Sequence, residues 1–130
     1  AKGVASRLQG VCLLALATVT EDQRPIVGPV DGIFYRGSFH FGSAPDSVRM
    51  RHISRRPHVS GTYLPGEELA VTVHGHAVLI DVASQDHRGF RRALLETYVP
   101  RYGPEWEDFV DSGPVYARID ADRMFTFAWS

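Results

Sequence analysis

Residues 69–82 read LAVTVHGHAVLIDV, and along most of that run apolar and polar residues alternate. Successive side chains of an extended chain point to opposite faces, so a period of two predicts a long strand with one buried face. Gly75, near its centre, predicts a bend. A strand this long needs neighbours on both edges, and the rest of the chain is punctuated to provide them.

Residues 11–20, rich in Val, Leu and Ala, end at the polar turn Glu21-Asp22-Gln23-Arg24 and predict a strand and hairpin loop. Residues 25–35 (PIVGPVDGIFY) predict a second strand. Pro29 lacks the N–H a ladder requires, so this strand is expected at an edge or bulge. After the turn Arg36-Gly37, residues 38–42 (SFHFG) predict a third strand, and residues 58–63 (HVSGTY) a fourth. Two closing strands, residues 115–119 and 124–129, are expected to flank a turn at Asp120-Ala121-Asp122-Arg123.

Helical spacing is confined to short stretches. Residues 85–102 place Phe90, Leu94, Leu95 and Tyr98 on one side. Gly103-Pro104 ends that stretch, and residues 105–111 predict a short acidic helix. Val4 and Leu8 suggest another over residues 1–9. Six or seven antiparallel strands with a few peripheral helices imply a mainly β (α+β) fold, a small barrel rather than an open sheet.

With 130 residues, the chain is read as one domain spanning 1–130. Fourteen basic against fifteen acidic residues leave a formal charge of -1, which excludes a global field for nucleic acid or anionic membrane. The single cysteine, Cys12, lies in an apolar strand and reads as a core thiol of a reducing compartment. No apolar run is long enough to span a bilayer and no secretory leader pattern is present, so a cytoplasmic setting is expected.

Against that neutral background, residues 42–58 (GSAPDSVRMRHISRRPH) concentrate Arg49, Arg51, Arg55 and Arg56 with His52 and His58. Ser43-Ala44-Pro45-Asp46 has the S-x-x-D form of a helix start, with Pro57 as the stop. A cation near a helix N-terminus opposes the helix dipole. It becomes favourable if an anion docks there, where the hydroxyls of Ser43 and Ser47, free amides and Arg49 converge. A phosphate suits that fork of donors. The plainer reading is a solvated face whose arginines pair with Asp46, Glu67 or Glu68.

The order Pro25, Pro29-Val30, Gly37, Phe41, Ser43, Arg49, Ile53, Pro57 and Val59-Ser60 resembles the pyridoxamine-phosphate-oxidase-like family of split-barrel flavoproteins. VTVHGHAVLI is similar to that family's strand with a central glycine, and YARIDADRMFTFAW to its closing hairpin. The resemblance implies a Greek-key split barrel that forms a homodimer, with FMN or the deazaflavin F420 at the subunit interface. It implies that Ser43, Ser47 and Arg49 hold the phosphate. The backbone of Val27, Gly28, Pro29 and Val30 would run beside the ring, and Trp129 would approach the neighbouring subunit's cofactor.

It further implies an FMN- or F420-dependent oxidoreductase moving hydride to or from a small organic substrate. A non-catalytic flavin or haem carrier on the same barrel is the alternative. Departures narrow this. Val48 stands where many relatives carry a second cation, Ala70 where some place a ring-contacting glutamine. DRMFTFAW lacks the R-x-H that grips substrate phosphate in the vitamin B6 oxidases.

Other groupings are weaker. His74 and His76 share a strand face as a metal pair would, but lack a third ligand. Ser43, His40 and Asp46 carry the letters of a hydrolytic triad without a nucleophile elbow. Tyr98, Tyr102, Trp106 and Tyr116 could stack on a flavin ring, though core or dimer-interface roles explain them more simply. Between Arg49 and His58 no aromatic interleaves the cations, which argues against nucleic acid. No metal is expected.

Overall fold

The structure is a computed structural model and describes residues 7–128. Six strands close into one antiparallel barrel. They are β1 (Val11–Val19), β2 (Pro25–Tyr35), β3 (Ser38–Ser43), β4 (His58–Gly66), β5 (Leu69–Ile80) and β6 (Val115–Ala128). The order around the barrel is β1-β2-β3-β6-β5-β4. Helix α1 (Val48–Arg55) carries the chain from β3 to β4, while α2 (Arg88–Tyr102) and α3 (Trp106–Ser112) lie between β5 and β6.

Alternation in β5 works as read: Leu69, Val71 and Val73 are fully buried while Ala70 and Thr72 face outward. Leu14 and Leu16 of β1, Phe39 and Phe41 of β3 and Ile119 of β6 join them inside the barrel, with Met50 and Ile53 of α1 packed on one end. Burying each such side chain contributes about 1.5–3 kcal/mol. A second apolar layer joins Ile33, Ile80 and Tyr116 of the barrel to Phe90, Leu94 and Tyr98 of α2 and Val110 of α3. The helical spacing of residues 90, 94 and 98 is therefore the spacing of that contact.

β2 pairs with β1 from Pro25 to Ile33 but with β3 only from Gly32 to Tyr35. Residues 25–31 therefore have one unpaired edge, where Pro29 costs no ladder bond.

Two local expectations are corrected. The end of the chain is one strand, because β6 runs unbroken through Asp120-Ala121-Asp122-Arg123. Gly75 pairs with Ala121 and His74 with Arg123, so Asp122 is the extra residue of a bulge. The register shift falls at Gly75 itself. A Cβ there would stand 2.0 Å from the Asp120 carbonyl oxygen, so glycine is what lets the two strands approach. The helix start also shifts, since Ser47 rather than Ser43 is the N-cap of α1. Of the helix expected over residues 1–9, residues 1–6 lie outside the described residues, and residues 7–10 form a turn and bends.

Candidate functional site

Ser43 is the last residue of β3, and the turn that follows brings α1 back across the open edge of β2. Ser47 Oγ accepts from the Met50 amide at 3.1 Å, closing the first turn of α1. Ser43 Oγ lies 3.1 Å from Ser47 Oγ. Arg49 then reaches sideways: Nη1 donates to Ser43 Oγ at 3.2 Å and Nη2 to the Pro29 carbonyl at 3.1 Å. The backbone of Gly28 passes so near that a Cβ there would meet Arg49 Nη2 at 3.2 Å. One guanidinium thus ties the helix start to β2, which brings Ser43, Ser47, Arg49, Gly28 and Pro29 together. Val27 beside them is 70% exposed, whereas Val30 turns into the barrel.

No acidic residue occupies the first turn of α1. Among the described residues, ion pairs join Arg7 to Glu68, Arg24 to Asp22, Arg91 to Glu107 and Asp111, and both Arg118 and His76 to Asp120. Arg49 takes part in none. Two of its five N–H donors go to neutral oxygens, so three remain for a ligand. The expected pairing with Asp46, Glu67 or Glu68 is therefore absent here. An anion with several oxygens fits this corner, since it meets a fixed fork of N–H groups, two hydroxyls and a positive helix end.

The remaining cations of the segment disperse. Arg56 Nε donates to the Val19 carbonyl at 2.9 Å, and His52 Nδ1 lies 3.3 Å from Thr18 Oγ1. Arg51, Arg55 and His58 are exposed. Arg55 and His52 stand in the last turn of α1, where the dipole favours them. Only Arg49 occupies the unfavourable end.

His40 is buried at 4% exposure, with Nδ1 2.9 Å from the Ser38 carbonyl. A carbonyl only accepts, so the imidazole carries its proton on Nδ1. Burial lowers its pKa to about 4. No hydrogen bond joins it to Ser43 or Asp46, so the triad letters do not assemble. Among the described residues no group of three His, Cys, Asp or Glu is placed to hold a metal. His74 instead packs edge-on against Phe125, and His76 lies 3.9 Å from Asp120. Trp129 lies outside the described residues.

Sequence reading missed a cavity of about 400 Å³ between β3 and the α2–α3 pair, with Ser43 on its rim. Tyr98, Tyr102, Trp106 and Tyr116, read as core or interface aromatics, line it together with Phe109. The spacing of residues 98, 102 and 106 was a usable hint. The facing wall, β3, is more than fifty residues away in the chain.

Comparison with known proteins agrees with this architecture. A sequence model described as pyridoxamine 5'-phosphate oxidase matches residues 2–126. No curated protein is similar enough in sequence to count as a match. Among solved structures, HutZ, the heme storage protein of Vibrio cholerae, is 18% identical, with a TM-score of 0.77 over 98% of this chain and 92% of that one. A conserved hypothetical protein of Mycobacterium tuberculosis is 20% identical, with a TM-score of 0.78 over 98% and 83%. An F420 reductase is 18% identical, with a TM-score of 0.68 over 92% and 94%. At these identities the likeness is one of fold. The match over residues 2–126, with the antiparallel barrel that accompanies it, shows that this chain belongs to the pyridoxamine 5'-phosphate oxidase family.

Proposed function

We propose that this protein binds FMN or F420 through the Ser43–Ser47–Arg49 corner and works as an oxidoreductase on a small organic substrate. The observation that carries the reading is Arg49: a guanidinium without a carboxylate, held between the Ser43 hydroxyl and the open edge of β2. In this reading Ser43, Ser47 and Arg49 hold the cofactor phosphate, and the backbone of residues 27–30 runs along the ring, on the strand edge that β3 leaves uncovered. The cofactor, once bound, supplies hydride transfer. The chain's own residues orient it and keep water from its ring. Vitamin B6 phosphate oxidation is not part of the proposal, because the R-x-H element is missing from DRMFTFAW.

The single domain is proposed to act as a cytoplasmic homodimer, with Trp129 reaching the partner's cofactor. Exposed Met124 and Phe125 on the one-sided half of β6 support pairing. Among the described residues no helix is long and apolar enough to cross a membrane. A carrier role is the second reading, favoured by the likeness to a heme storage protein.

Titrating the cofactor-free protein with FMN and F420 side by side, following tryptophan quenching, tests the site. Arg49→Glu removes charge-assisted hydrogen bonds of about 1.5–3 kcal/mol each, so affinity falls by at least tenfold while the melting temperature holds. Unchanged affinity in that variant refutes the assignment. Turnover with reduced cofactor separates enzyme from carrier, and a Soret band with added haem supports the carrier.

A further inference from the structure

At the hairpin end of β3, a polar cavity of about 530 Å³ opens between Tyr35, Arg36 and Ser38, the start of α2 and Arg118 of β6. Ser43, at the opposite end of that strand, is not among its walls. Arg36 stacks on its neighbour Tyr35, 5.4 Å from the ring centroid, and enters no ion pair or hydrogen bond among the described residues. Its Nη2 stands 3.9 Å from the place a Cβ of Gly89 would take, so the guanidinium lies against the first turn of α2. That Cβ would also collide with the Tyr35 hydroxyl, and glycine keeps the corner open. The fifteen residues of α2 begin with no acidic residue in the first turn and no side-chain cap. A free cation thus faces a positive helix end, and an anion between them relieves the repulsion.

The acceptors narrow which anion fits. His40 lines the cavity at 4% exposure. Its Nδ1 donates to the Ser38 carbonyl, so Nε2 is an acceptor, and it has no partner among the described residues. That nitrogen is not sealed, in contrast to the buried Nδ1 of His87. Arg118 and His87, whose charges act on the ring, line the same cavity. Arg118 is matched by Asp120, while Asp86, the one carboxylate among the lining residues, is exposed and in no ion pair. A guest must therefore bring negative oxygens to Arg36 and the helix amides, and a hydroxyl proton to groups that only accept.

We propose that this cavity binds hydrogen phosphate, its oxygens accepting from Arg36 and the start of α2 and its hydroxyl donating to His40 Nε2. Sulfate has the same shape but no proton at neutral pH, so its oxygens would face the imidazole lone pair and the Asp86 carboxylate. The assignment stands on this cavity and does not depend on the cofactor reading, in which Arg49 holds the anion.

The test is isothermal titration calorimetry with inorganic phosphate at pH 6.5 in bis-tris chloride. It uses Arg49→Glu protein, so that the cofactor corner takes no anion. One saturable site is expected, with sulfate at least tenfold weaker than phosphate. Arsenate, which also keeps a proton, should bind within about threefold of phosphate. Arg36→Asn removes the charge with a side chain that tolerates the φ of 50° at that position. It should weaken phosphate at least fivefold without lowering the melting temperature in phosphate-free buffer. His40→Phe removes the acceptor and should narrow the preference for phosphate over sulfate at least fivefold.

The proposal is overturned if phosphate saturates no site, if sulfate binds as tightly, if Arg36→Asn binds phosphate as its parent does, or if His40→Phe keeps the full preference. Phosphate binding that is present with Arg49 intact and lost in Arg49→Glu belongs to the cofactor corner and also overturns it. Failure of FMN and F420 to bind the wild type, with phosphate bound as expected, refutes the proposed function and leaves this site standing.

Discussion

Acidifying this protein from pH 7 to pH 4.5 protonates His40 in unfolded chains long before it does so in folded ones. In the fold the imidazole is 4% exposed and stacked 4.5 Å from the Phe90 ring. Burial is the main cause that lowers its pKa from 6.5 to about 4, with Arg118 and His87 adding to the effect and the Ser38 carbonyl and Asp120 opposing it. A depressed histidine leaves the folded state with fewer bound protons than the unfolded one between those two values. Stability is therefore full above about pH 6.5 and is lost as the pH falls toward 4. Integrating over pH 7 to 4.5 gives a loss of roughly 2.5 kcal/mol, a large share of the 5–15 typical of a domain. Urea unfolding followed by circular dichroism at half-unit pH intervals measures this directly. His40→Phe keeps a ring on Phe90 and removes the titration, so its stability should fall by about 2.5 kcal/mol less over the same range. If wild type and His40→Phe lose stability in parallel, the buried neutral imidazole is not the cause and the reasoning fails.

Gly28→Val drives a side chain into the Arg49 guanidinium and should weaken FMN or F420 binding about tenfold with little change in melting temperature, because the site is on an open strand edge. Gly75→Ala sets a methyl against the Asp120 carbonyl oxygen and should cost about 3 kcal/mol in urea unfolding, the upper end for overpacking. A loss under about 1 kcal/mol would show that β5 and β6 can separate there. Cys12 is fully buried and its thiol is pushed up to about 11 by burial. A thiol reagent at pH 8 should leave the native protein unlabelled and modify it fully in denaturant.

The sequence by itself determined the elements whose cause is local. Alternation in residues 69–80 specifies a strand whichever neighbours it finds, because extended side chains point to opposite faces. Pro29 forced an edge, since it has no N–H to donate, and the spacing of Phe90, Leu94 and Tyr98 forced one buried helix side. The gathering of Ser43, Ser47 and Arg49 was legible too, because seven residues span the end of a strand and the start of a helix.

Only the tertiary structure decided what depends on residues far apart in the chain. Asp120-Ala121-Asp122-Arg123 looks like a turn until Gly75, forty-five residues earlier, lets the Asp120 carbonyl approach and a bulge absorb Asp122. Arg49 looks like one of four equivalent cations until β2 supplies the Pro29 carbonyl and the rest of the run finds Val19, Thr18 or solvent. The aromatic cavity exists because β3 and the α2–α3 pair are opposite walls of one space. Backbone preference acts within a few residues, whereas hydrogen-bond partners and cavities are set by which surfaces the barrel brings into contact, and that is a property of topology.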